Sequence, residues 1–534
     1  MQRGFIENSG KNKPQVVSVD NNSELRKIRG GSSPDSGHLR KLSGNEQARN
    51  HLILSVMLCG IFFIYIATFR AGHDWGDDFA MYIMHSRNIV NGVSYGDTGF
   101  ILNPMRVVGP QTYPPIFPLL LAPVYYFMGL DLTAMKMLIV LMFLATLAMA
   151  FICFRDGLPA KHRLVMIGLI GLNPLFWSFK DHIVSDIPFA FFVFLSLCVI
   201  HTSYRKKERW PREILFGMII ALTIYLAYGT RSVGLVLIPC LVAYDLLRNR
   251  RPSLKGVTGV AFALAAIYVQ NATSHNDGGY GPQIAIKTKH VISHAWIYLK
   301  ILTYYLENGY SKILKLAIFG LVSCLALVGY FYRLRKEITC FEIFPALYLI
   351  PFLVLPILPI ERYIAVLVPI YFFYALVGLR AIPAKSEMAR YALPAFVIVV
   401  LGTYALRYTT IEYGPFRDGV EAPGSIEMFD YVRKNTRPDD VFLFRKPRAL
   451  ALYTNRHSSS WDPGISDEEQ WEYIKKIDAT YLVLGLEGLD HEDYVYLKGF
   501  INRNEERLER RFDNKEFSVY RIMPKKEHIR TSAN

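Results

Sequence analysis

Long apolar runs constrain this sequence more than any other feature. Runs of about 18 to 22 residues recur between residues 51 and 408, and a helix of that length crosses the hydrocarbon core of a bilayer. The composition agrees, since 52% of the 534 residues are hydrophobic and the mean hydropathy is +0.21. The sequence therefore predicts a polytopic α-helical membrane protein.

Eleven spans give the most consistent topology. Residues 114–129 contain four prolines and are short for a span, so we interpret them as a helix at the outer surface that does not cross. With that choice every strongly basic loop falls on one side, which the positive-inside rule identifies as cytoplasmic. The predicted spans are 51–69, 132–154, 164–179, 187–203, 213–228, 232–247, 256–271, 312–332, 340–358, 363–379 and 391–408.

The two ends of the chain differ from its apolar centre. Residues 1–50 are polar and lack the apolar core of a signal peptide, which predicts a disordered cytoplasmic tail. Residues 409–534 alternate helix-like and strand-like segments, which predicts a small C-terminal α/β domain. The count of spans places this domain outside the membrane, on the face of the first outer loop, 70–131. Residues 51–408 form the predicted transmembrane domain.

The positive charge of the chain has a topological explanation. Lysine and arginine outnumber aspartate and glutamate by 60 to 45, which in a soluble protein would suggest nucleic acid. Here the excess follows the cytoplasmic loops, so no nucleic-acid partner is predicted. The six cysteines all lie in or beside apolar runs, without the spacing of metal ligands or of a disulfide framework.

Ionisable residues collect at the outer ends of the predicted spans. The first outer loop carries Asp77 and Asp78, and the spacing of Asp78, Tyr82 and His85 places these three on one face of a helix. Ionisable groups beside apolar segments are costly, and their presence indicates function. The later outer loops add Lys180, Asp186, Arg231, Glu361, Arg362 and Tyr363.

Each of these features also has a purely structural interpretation. Asp77 and Asp78 suit a helix N-terminus, and Asp186 suits an N-cap because a proline follows it two residues later. Arg231 and Arg362 suit snorkelling anchors, and Arg362 also suits a surface ion pair with the glutamate before it. All four features are predicted to lie at the same face of the membrane, and this coincidence favours a functional interpretation.

Two separated carboxylates and several cations at an outer membrane face suit glycosyl transfer from a lipid-phosphate sugar. A carboxylate accepts the proton of the acceptor hydroxyl as general base. Cations neutralise the charge that develops on the departing phosphate. The sequence has neither a P-loop nor a dinucleotide-binding glycine motif, so nothing in it indicates a nucleotide-sugar donor.

A series of motifs over most of residues 50–534 resembles the GT-C glycosyltransferases. The likeness is to the aminoarabinose transferases, the protein O-mannosyltransferases and the Rgt-type galacturonosyltransferases. The motifs depart from the family pattern at His85, where small residues are usual, and at Asp77-Asp78, where Asp-Glu is common. They are DDFAMY at 77–82 with NG at 91–92, YPPIFPLLLAP at 113–123, NPLFWS at 173–178, SDIP at 185–188, TRSVGL at 230–235, ERYIAVLVP at 361–369, PRALALYTNR at 447–456 and ATYLVLGL at 479–486.

The resemblance implies roles for individual residues. Asp78 matches the family's catalytic carboxylate, with Asp77 as the second choice, and Asp186 matches the acid of the second outer loop. Arg231 and Arg362 match positions that face the lipid phosphate. Further phosphate ligands implied are Lys180 and Arg106, and further substrate contacts are Tyr82, His85, Tyr113, Glu361 and Tyr363. Adjacent carboxylates are suitable ligands for a divalent cation, but no metal and no other cofactor is predicted.

The implied protein is an inverting glycosyltransferase of the bacterial inner membrane, surrounded by membrane lipids. It transfers a sugar from a polyprenyl phosphate or diphosphate to a lipid, glycan or protein acceptor on the outer face. One alternative is a flippase or transporter of lipid-linked sugars, although the sequence has neither an inverted repeat nor a pair of broken central spans. Another is a non-catalytic membrane scaffold with a sugar-binding outer domain, which would tolerate the loss of Asp78.

Overall fold

The computed structural model describes residues 35–104, 108–205, 209–273, 288–354, 360–381, 387–485 and 491–524. The chain divides into two units, with the boundary between Ser55 and Val56. Residues 1–34 of the predicted cytoplasmic tail lie outside the described residues. In the first unit, helix α1 begins at Asp35, and it ends at Ala67 in the second unit. All further elements belong to the second unit.

Helices form most of the described chain. Numbered in chain order, the α-helices are α1 Asp35–Ala67, α2 Asp78–Asn91, α3 Ile116–Met128, α4 Leu132–Cys153, α5 Ala160–Gly171, α6 Pro174–Phe179, α7 Asp186–Ser203, α8 Trp210–Tyr228, α9 Leu237–Asn249, α10 Leu254–Thr273, α11 Thr288–Leu302, α12 Lys312–Lys336, α13 Cys340–Val354, α14 Glu361–Ile364, α15 Val368–Arg380, α16 Glu387–Tyr408, α17 Pro423–Asn435, α18 Pro447–Thr454, α19 Asp467–Lys476 and α20 His491–Arg503. Short 3₁₀ turns cover Pro110–Thr112, Phe154–Asp156, Ser232–Val236, Thr303–Leu306, Ala365–Leu367 and Glu505–Arg507.

Among the described residues, nine helical segments are long and apolar enough to cross a membrane. The predicted polytopic helical architecture is therefore confirmed. The segments are Asn45–Ala67, Leu132–Asp156, Asp186–Ser203, Trp210–Tyr228, Ser232–Asn249, Leu254–Thr273, Lys312–Lys336, Glu361–Arg380 and Arg390–Tyr408.

Two of the eleven predicted spans account for the difference. The predicted span 164–179 is interrupted, because the side chain of Asn173 caps α6 by accepting hydrogen bonds from two backbone N–H groups and Pro174 opens that helix. The predicted span 340–358 is represented by α13, which has 15 residues; residues 355–358 lie outside the described residues. Helix α3 has 13 residues, which agrees with the interpretation of 114–129 as too short to cross.

Glycines allow two of the helices to approach each other closely. Where α12 meets α15, a Cβ atom on Gly329 would lie 2.0 Å from the carbonyl oxygen of Tyr374. A Cβ atom on Gly378 would lie 1.9 Å from the carbonyl oxygen of Leu325. Both distances are shorter than any tolerable contact, so this crossing requires a residue without a side chain on each helix.

A mixed sheet lies in the C-terminal region, as the alternation of segments there predicted. Within the described residues its strands are β1 Phe100–Ile101, β2 Val441–Leu443, β3 His457–Ser459, β4 Ala479–Leu484, β5 Leu508–Asp513 and β6 Ser518–Ile522, in the order β1-β3-β2-β4-β6-β5. The pairs β1–β3, β2–β3 and β2–β4 are parallel, and β4–β6 and β5–β6 are antiparallel. Leu482, Trp461 and Phe500 are in its apolar core. Since β1 comes from the first outer loop, that loop is built into the sheet.

Buried charges hold the segment that follows α1. Lys136 of α4 is 1% exposed, and its Nζ donates to the carbonyl oxygen of Arg70 at 2.9 Å and to that of Gly72. The backbone N–H of Arg70 donates to Asp181 Oδ1 at 2.9 Å. Asp181 also pairs with Lys180. These contacts fix the path by which the chain leaves α1 and approaches α2.

Candidate active site

Asp78 is the first residue of α2, and both of its carboxylate oxygens accept hydrogen bonds. Oδ1 accepts from the Tyr113 hydroxyl at 2.7 Å and from Arg448 Nη1 at 3.3 Å. Oδ2 accepts from Arg362 Nη2 at 2.9 Å. Two cations and a hydroxyl therefore converge on one carboxylate, and this goes beyond what a helix N-terminus requires.

Asp186 supplies the second carboxylate, from the start of α7. Its Oδ1 accepts from Arg231 Nη1 at 2.6 Å, and its Oδ2 lies 3.4 Å from Arg362 Nε. Arg362 consequently bridges Asp186 and Asp78, which are 108 residues apart in sequence. Three outer-face features of the sequence meet at this guanidinium group.

The charges of the cluster balance. When all are ionised, three carboxylates face three guanidinium groups, so the site is formally neutral. An anionic group that enters it competes with the carboxylates for the arginines. The members are Asp77, Asp78, Asp186, Arg231, Arg362 and Arg448.

The two adjacent acids have opposite pKa shifts. Burial by itself raises the pKa of Asp78, but Arg362 and Arg448 outweigh it, with hydrogen bonds from Arg362 and Tyr113, and hold that pKa well below its usual range. Burial raises the pKa of Asp77, and the nearby Arg448 offsets this only in part. A pair of titratable groups with diverging pKa values divides into different roles. The charged form of Asp78 is therefore stabilised more strongly than that of Asp77.

Asp77 contacts the C-terminal region. It makes no capping hydrogen bond to its own helix. Its Oδ1 instead accepts from the backbone N–H of Ala449 at 3.3 Å, and its Oδ2 lies 3.5 Å from Arg448 Nε. Asp77 therefore links the first outer loop to helix α18.

The remaining residues of the predicted α2 face have separate surroundings. The Tyr82 hydroxyl lies 2.8 Å from Ser185 Oγ, beside Asp186. His85 stacks on Tyr95 with ring centroids 3.9 Å apart, and its Nδ1 lies 2.8 Å from the Tyr95 carbonyl oxygen. Burial lowers the pKa of His85 to about 4, so the imidazole is neutral at pH 7. Tyr82 thus belongs to the carboxylate cluster, whereas His85 packs against the loop after α2.

The other predicted site residues also differ in whether they lie beside the carboxylate cluster. The Tyr363 ring lies 5.3 Å from the Arg231 guanidinium group, and the backbone carbonyl of Glu361 accepts a hydrogen bond from a tyrosine hydroxyl at 3.0 Å. Lys180 pairs with Asp181 and lies 3.8 Å from the centre of the Trp177 ring, and neither of these residues is a partner of Asp78. Arg106 lies outside the described residues.

Sequence reasoning missed Arg448 as a member of the site. The residue stands in the quoted segment PRALALYTNR, as the second residue of helix α18, and it is 370 residues from Asp78. The available signal was an arginine where a strand-like segment of the C-terminal region is followed by a helix-like one, a position that many surface arginines share. Ser185 was also missed as a contact of both Tyr82 and Arg231, although it directly precedes Asp186.

The adjacent carboxylates of Asp77 and Asp78 bear on whether the site could hold a metal ion. In the ranges that the structure describes, no group of three or more His, Cys, Asp or Glu residues is arranged to hold a metal ion. The carboxylate oxygens of both residues lie next to nitrogen or hydroxyl donors instead.

Solved structures identify the architecture, whereas no protein-family model and no curated protein matches the sequence. The Archaeoglobus fulgidus oligosaccharyltransferase, in complex with Zn and sulfate, aligns with a TM-score of 0.57 over 89% of this chain and 74% of its own, at 12% identity. ArnT from Cupriavidus metallidurans, bound to undecaprenyl phosphate, aligns with a TM-score of 0.56 over 88% of this chain and 97% of its own, also at 12% identity. The fold is that of the GT-C glycosyltransferases.

A third similar structure has a larger chain. The mycobacterial arabinofuranosyltransferase AftD aligns with a TM-score of 0.55 over 88% of this chain but 41% of its own, at 11% identity. At these identities the likeness is one of fold. The GT-C fold predicted from the order of the motifs is confirmed. A shared fold does not by itself determine the chemistry of the site.

Proposed function

We propose that the protein is an integral-membrane glycosyltransferase that takes a sugar from a polyprenyl phosphate or diphosphate. The observation that carries the proposal is the bridge formed by Arg362 between Asp78 and Asp186, with Arg231 behind it. This arrangement offers a carboxylate for the acceptor and guanidinium groups for a phosphate within one cluster. The similar structures of ArnT bound to undecaprenyl phosphate and of the archaeal enzyme AglB with a dolichol-phosphate support a lipid-phosphate donor.

Asp78 is assigned to the acceptor hydroxyl. The acceptor oxygen attacks the anomeric carbon of the sugar, the bond from that carbon to the phosphate oxygen breaks, and the hydroxyl proton passes to Asp78. A single displacement of this kind inverts the anomeric configuration. The acceptor is a lipid, a glycan or a protein with a free hydroxyl group.

Arg362 couples donor binding to the strength of the base. A carboxylate with a strongly lowered pKa is a weak base, and Arg362 is one of the two cations that lower the pKa of Asp78. The donor phosphate competes for this guanidinium group because phosphate is a strong bidentate partner of arginine. When Arg362 turns to the phosphate, Asp78 becomes more basic at the moment the donor is in place. Arg231 and Asp186 keep Arg362 within reach.

The arginines supply positive charge where the leaving phosphate develops negative charge, so we propose that transfer needs no bound metal ion. The contact between Asp78 and Arg448 supports placing the first loop and the C-terminal region on one side of the membrane. The basic loops support a cytoplasmic N-terminus, which leaves the site and the C-terminal region on the outer face of a bacterial inner membrane.

The experiment is a transfer assay with purified protein in detergent. Radiolabelled polyprenyl-phosphate sugars are the donors and a membrane extract is the acceptor, with and without EDTA. Transfer that persists in EDTA is expected. Transfer that EDTA abolishes would contradict the metal-free mechanism. Absence of transfer, together with movement of the donor across liposomes that contain the protein, would replace the transferase by a flippase.

A further inference from the structure

Arg448 comes from the C-terminal region and joins the cluster around Asp78. It is the second residue of α18, the helix that follows the parallel strand β2. Its Nη1 donates to the Tyr113 hydroxyl at 2.6 Å and lies 3.3 Å from Asp78 Oδ1, and its Nη2 donates to the Val108 carbonyl oxygen at 3.1 Å. One guanidinium group therefore contacts two separate parts of the first outer loop, at Asp78 and at residues 108–113.

The surroundings of Arg448 are those of an interior residue. Its side chain is 14% exposed, and its guanidinium group lies 5.0 Å from the centre of the Phe100 ring and 5.3 Å from that of Tyr113. Burying an arginine carries a large desolvation cost, which is offset only where several partners are arranged around it. Phe100 belongs to strand β1, so the loop strand that joins the sheet also covers this arginine.

Asp77 holds the helix that carries Arg448. Helix α18 has no side-chain cap of its own, because the residue before it is Lys446. The carboxylate of Asp77 accepts the N–H of Ala449, the third residue of the helix, and so acts as a cap from a distant part of the chain. The tandem acids therefore divide two tasks, since Asp77 docks the helix and Asp78 receives its arginine.

We propose that Arg448 is a positioning residue for the transfer reaction, supplied by the C-terminal region and acting on Asp78 through the Tyr113 hydroxyl. The Tyr113 hydroxyl accepts from Arg448 and donates to Asp78 Oδ1, so the position of Arg448 fixes the direction of that oxygen. The site is complete only when the C-terminal region is docked. This inference rests on the proposed function, because it takes Asp78 as the base.

The acidic limb of the pH–rate profile reports the protonation of Asp78. Replacing a purely structural residue would leave that limb unchanged. The groups that face its carboxylate are Arg362, Arg448, Tyr113, Tyr82 and Asp77. Arg448 lowers the pKa of Asp78, so its removal raises that pKa and shifts the acidic limb of the pH–rate profile to higher pH. The contact lies beside the reacting carboxylate, so kcat is expected to fall while the KM for the donor changes little.

The test compares Arg448→Gln with wild type at saturating donor across pH 4 to 8. We expect kcat to fall roughly 10-fold to 100-fold, the factor that corresponds to one or two charge-assisted hydrogen bonds. Arg448→Lys should recover part of the rate, because an ammonium group keeps the charge but cannot reproduce the fork of contacts. The matched control is Arg503→Gln, which removes an exposed arginine paired with Asp467 in the same region and should leave the profile unchanged.

Each outcome separates the inference from the proposed function. Transfer by Arg448→Gln with an unshifted acidic limb and normal kcat would overturn the role of Arg448 and leave the transferase intact. Absence of transfer by wild type with every donor would overturn the transferase, and with it the role given to Arg448. If Arg448→Gln does not fold, Tyr113→Phe removes the connecting hydroxyl alone. An unshifted limb in that variant would equally overturn the inference.

Discussion

The ion pair between Arg231 and Asp186 gives a quantitative test of how the site is held together. Arg231 Nη1 lies 2.6 Å from Asp186 Oδ1, and the side chain of Asp186 is 3% exposed. Replacing Arg231 with glutamine leaves a buried carboxylate whose nearest remaining cation is Arg362, with its Nε 3.4 Å from Oδ2. The variant therefore measures the cost of removing half of a buried pair.

The magnitude follows from burial and from the remaining partner. Removing one member of a buried ion pair costs about 3 to 5 kcal/mol, because the other charge stays desolvated. Arg362 compensates Asp186 in part, so we expect a loss near the lower end, about 3 kcal/mol of unfolding free energy. The double variant Arg231→Gln/Asp186→Asn should cost less than the sum of the single variants, since no buried carboxylate is then left without its partner.

Arg205 offers a matched control. Arg205 Nη1 lies 2.7 Å from Asp156 Oδ2, nearly the same distance, but the side chains are 46% and 31% exposed. Exposed ion pairs contribute little, so Arg205→Gln should cost less than about 1 kcal/mol. The assay is reversible denaturant unfolding of all variants in detergent micelles. Equal costs for the Arg231 and Arg205 variants, or strict additivity in the double variant, would refute the reasoning.

Three further predictions concern the surroundings of the site. Lys136→Met removes two charge-assisted hydrogen bonds to the turn at 70–72. It should lower the free energy of unfolding by about 2 to 3 kcal/mol, measured by denaturant unfolding in detergent. Gly99→Ala, at φ +73° and with a backbone carbonyl oxygen 3.2 Å from the added Cβ, should cost about 1 to 3 kcal/mol and accelerate hydrogen exchange in β1 and β3. The pKa of Asp78 is lowered in the folded state, so its ion pairs contribute fully above about pH 4 and less as the pH falls further. The stability difference between wild type and Asp78→Asn should accordingly stay constant from about pH 5 to 7 and shrink below about pH 4, which unfolding curves at each pH would reveal.

The sequence predicts the parts of this fold that local pattern determines. Apolar runs predicted the helical membrane architecture, and the alternation of short segments predicted the C-terminal sheet. The break at Asn173 and Pro174 was also readable, because a capping residue followed by proline begins a new helix. The run was nevertheless interpreted as one span, since its hydropathy continues across the break. A two-residue strand such as β1 has too little pattern to be predicted at all.

The site illustrates the same limit. Helical spacing placed Asp78 and Tyr82 on one face of α2. Arg231 and Arg362, which the sequence assigned to one region, both contact Asp186. Spacing alone could not say that His85, on that same face, turns to a tyrosine of the following loop. Contacts between segments hundreds of residues apart, such as Asp78 with Arg448, depend on how the C-terminal region docks. Such docking has no signature in a single sequence.

The most direct test of the central claim is single-turnover transfer by Asp78→Asn. Asparagine keeps the shape of the side chain but cannot take the proton of the acceptor hydroxyl. It also offers one acceptor oxygen, whereas both carboxylate oxygens of Asp78 accept hydrogen bonds in the wild type. The rate of product formation from a lipid-linked sugar should fall by about 100-fold to 10,000-fold, the usual contribution of a general base. The control Asp430→Asn changes an acid of α17 that pairs with Arg433 and Lys434 and should match wild type. Near-normal transfer by a folded Asp78→Asn variant would contradict the assignment of this carboxylate as the base.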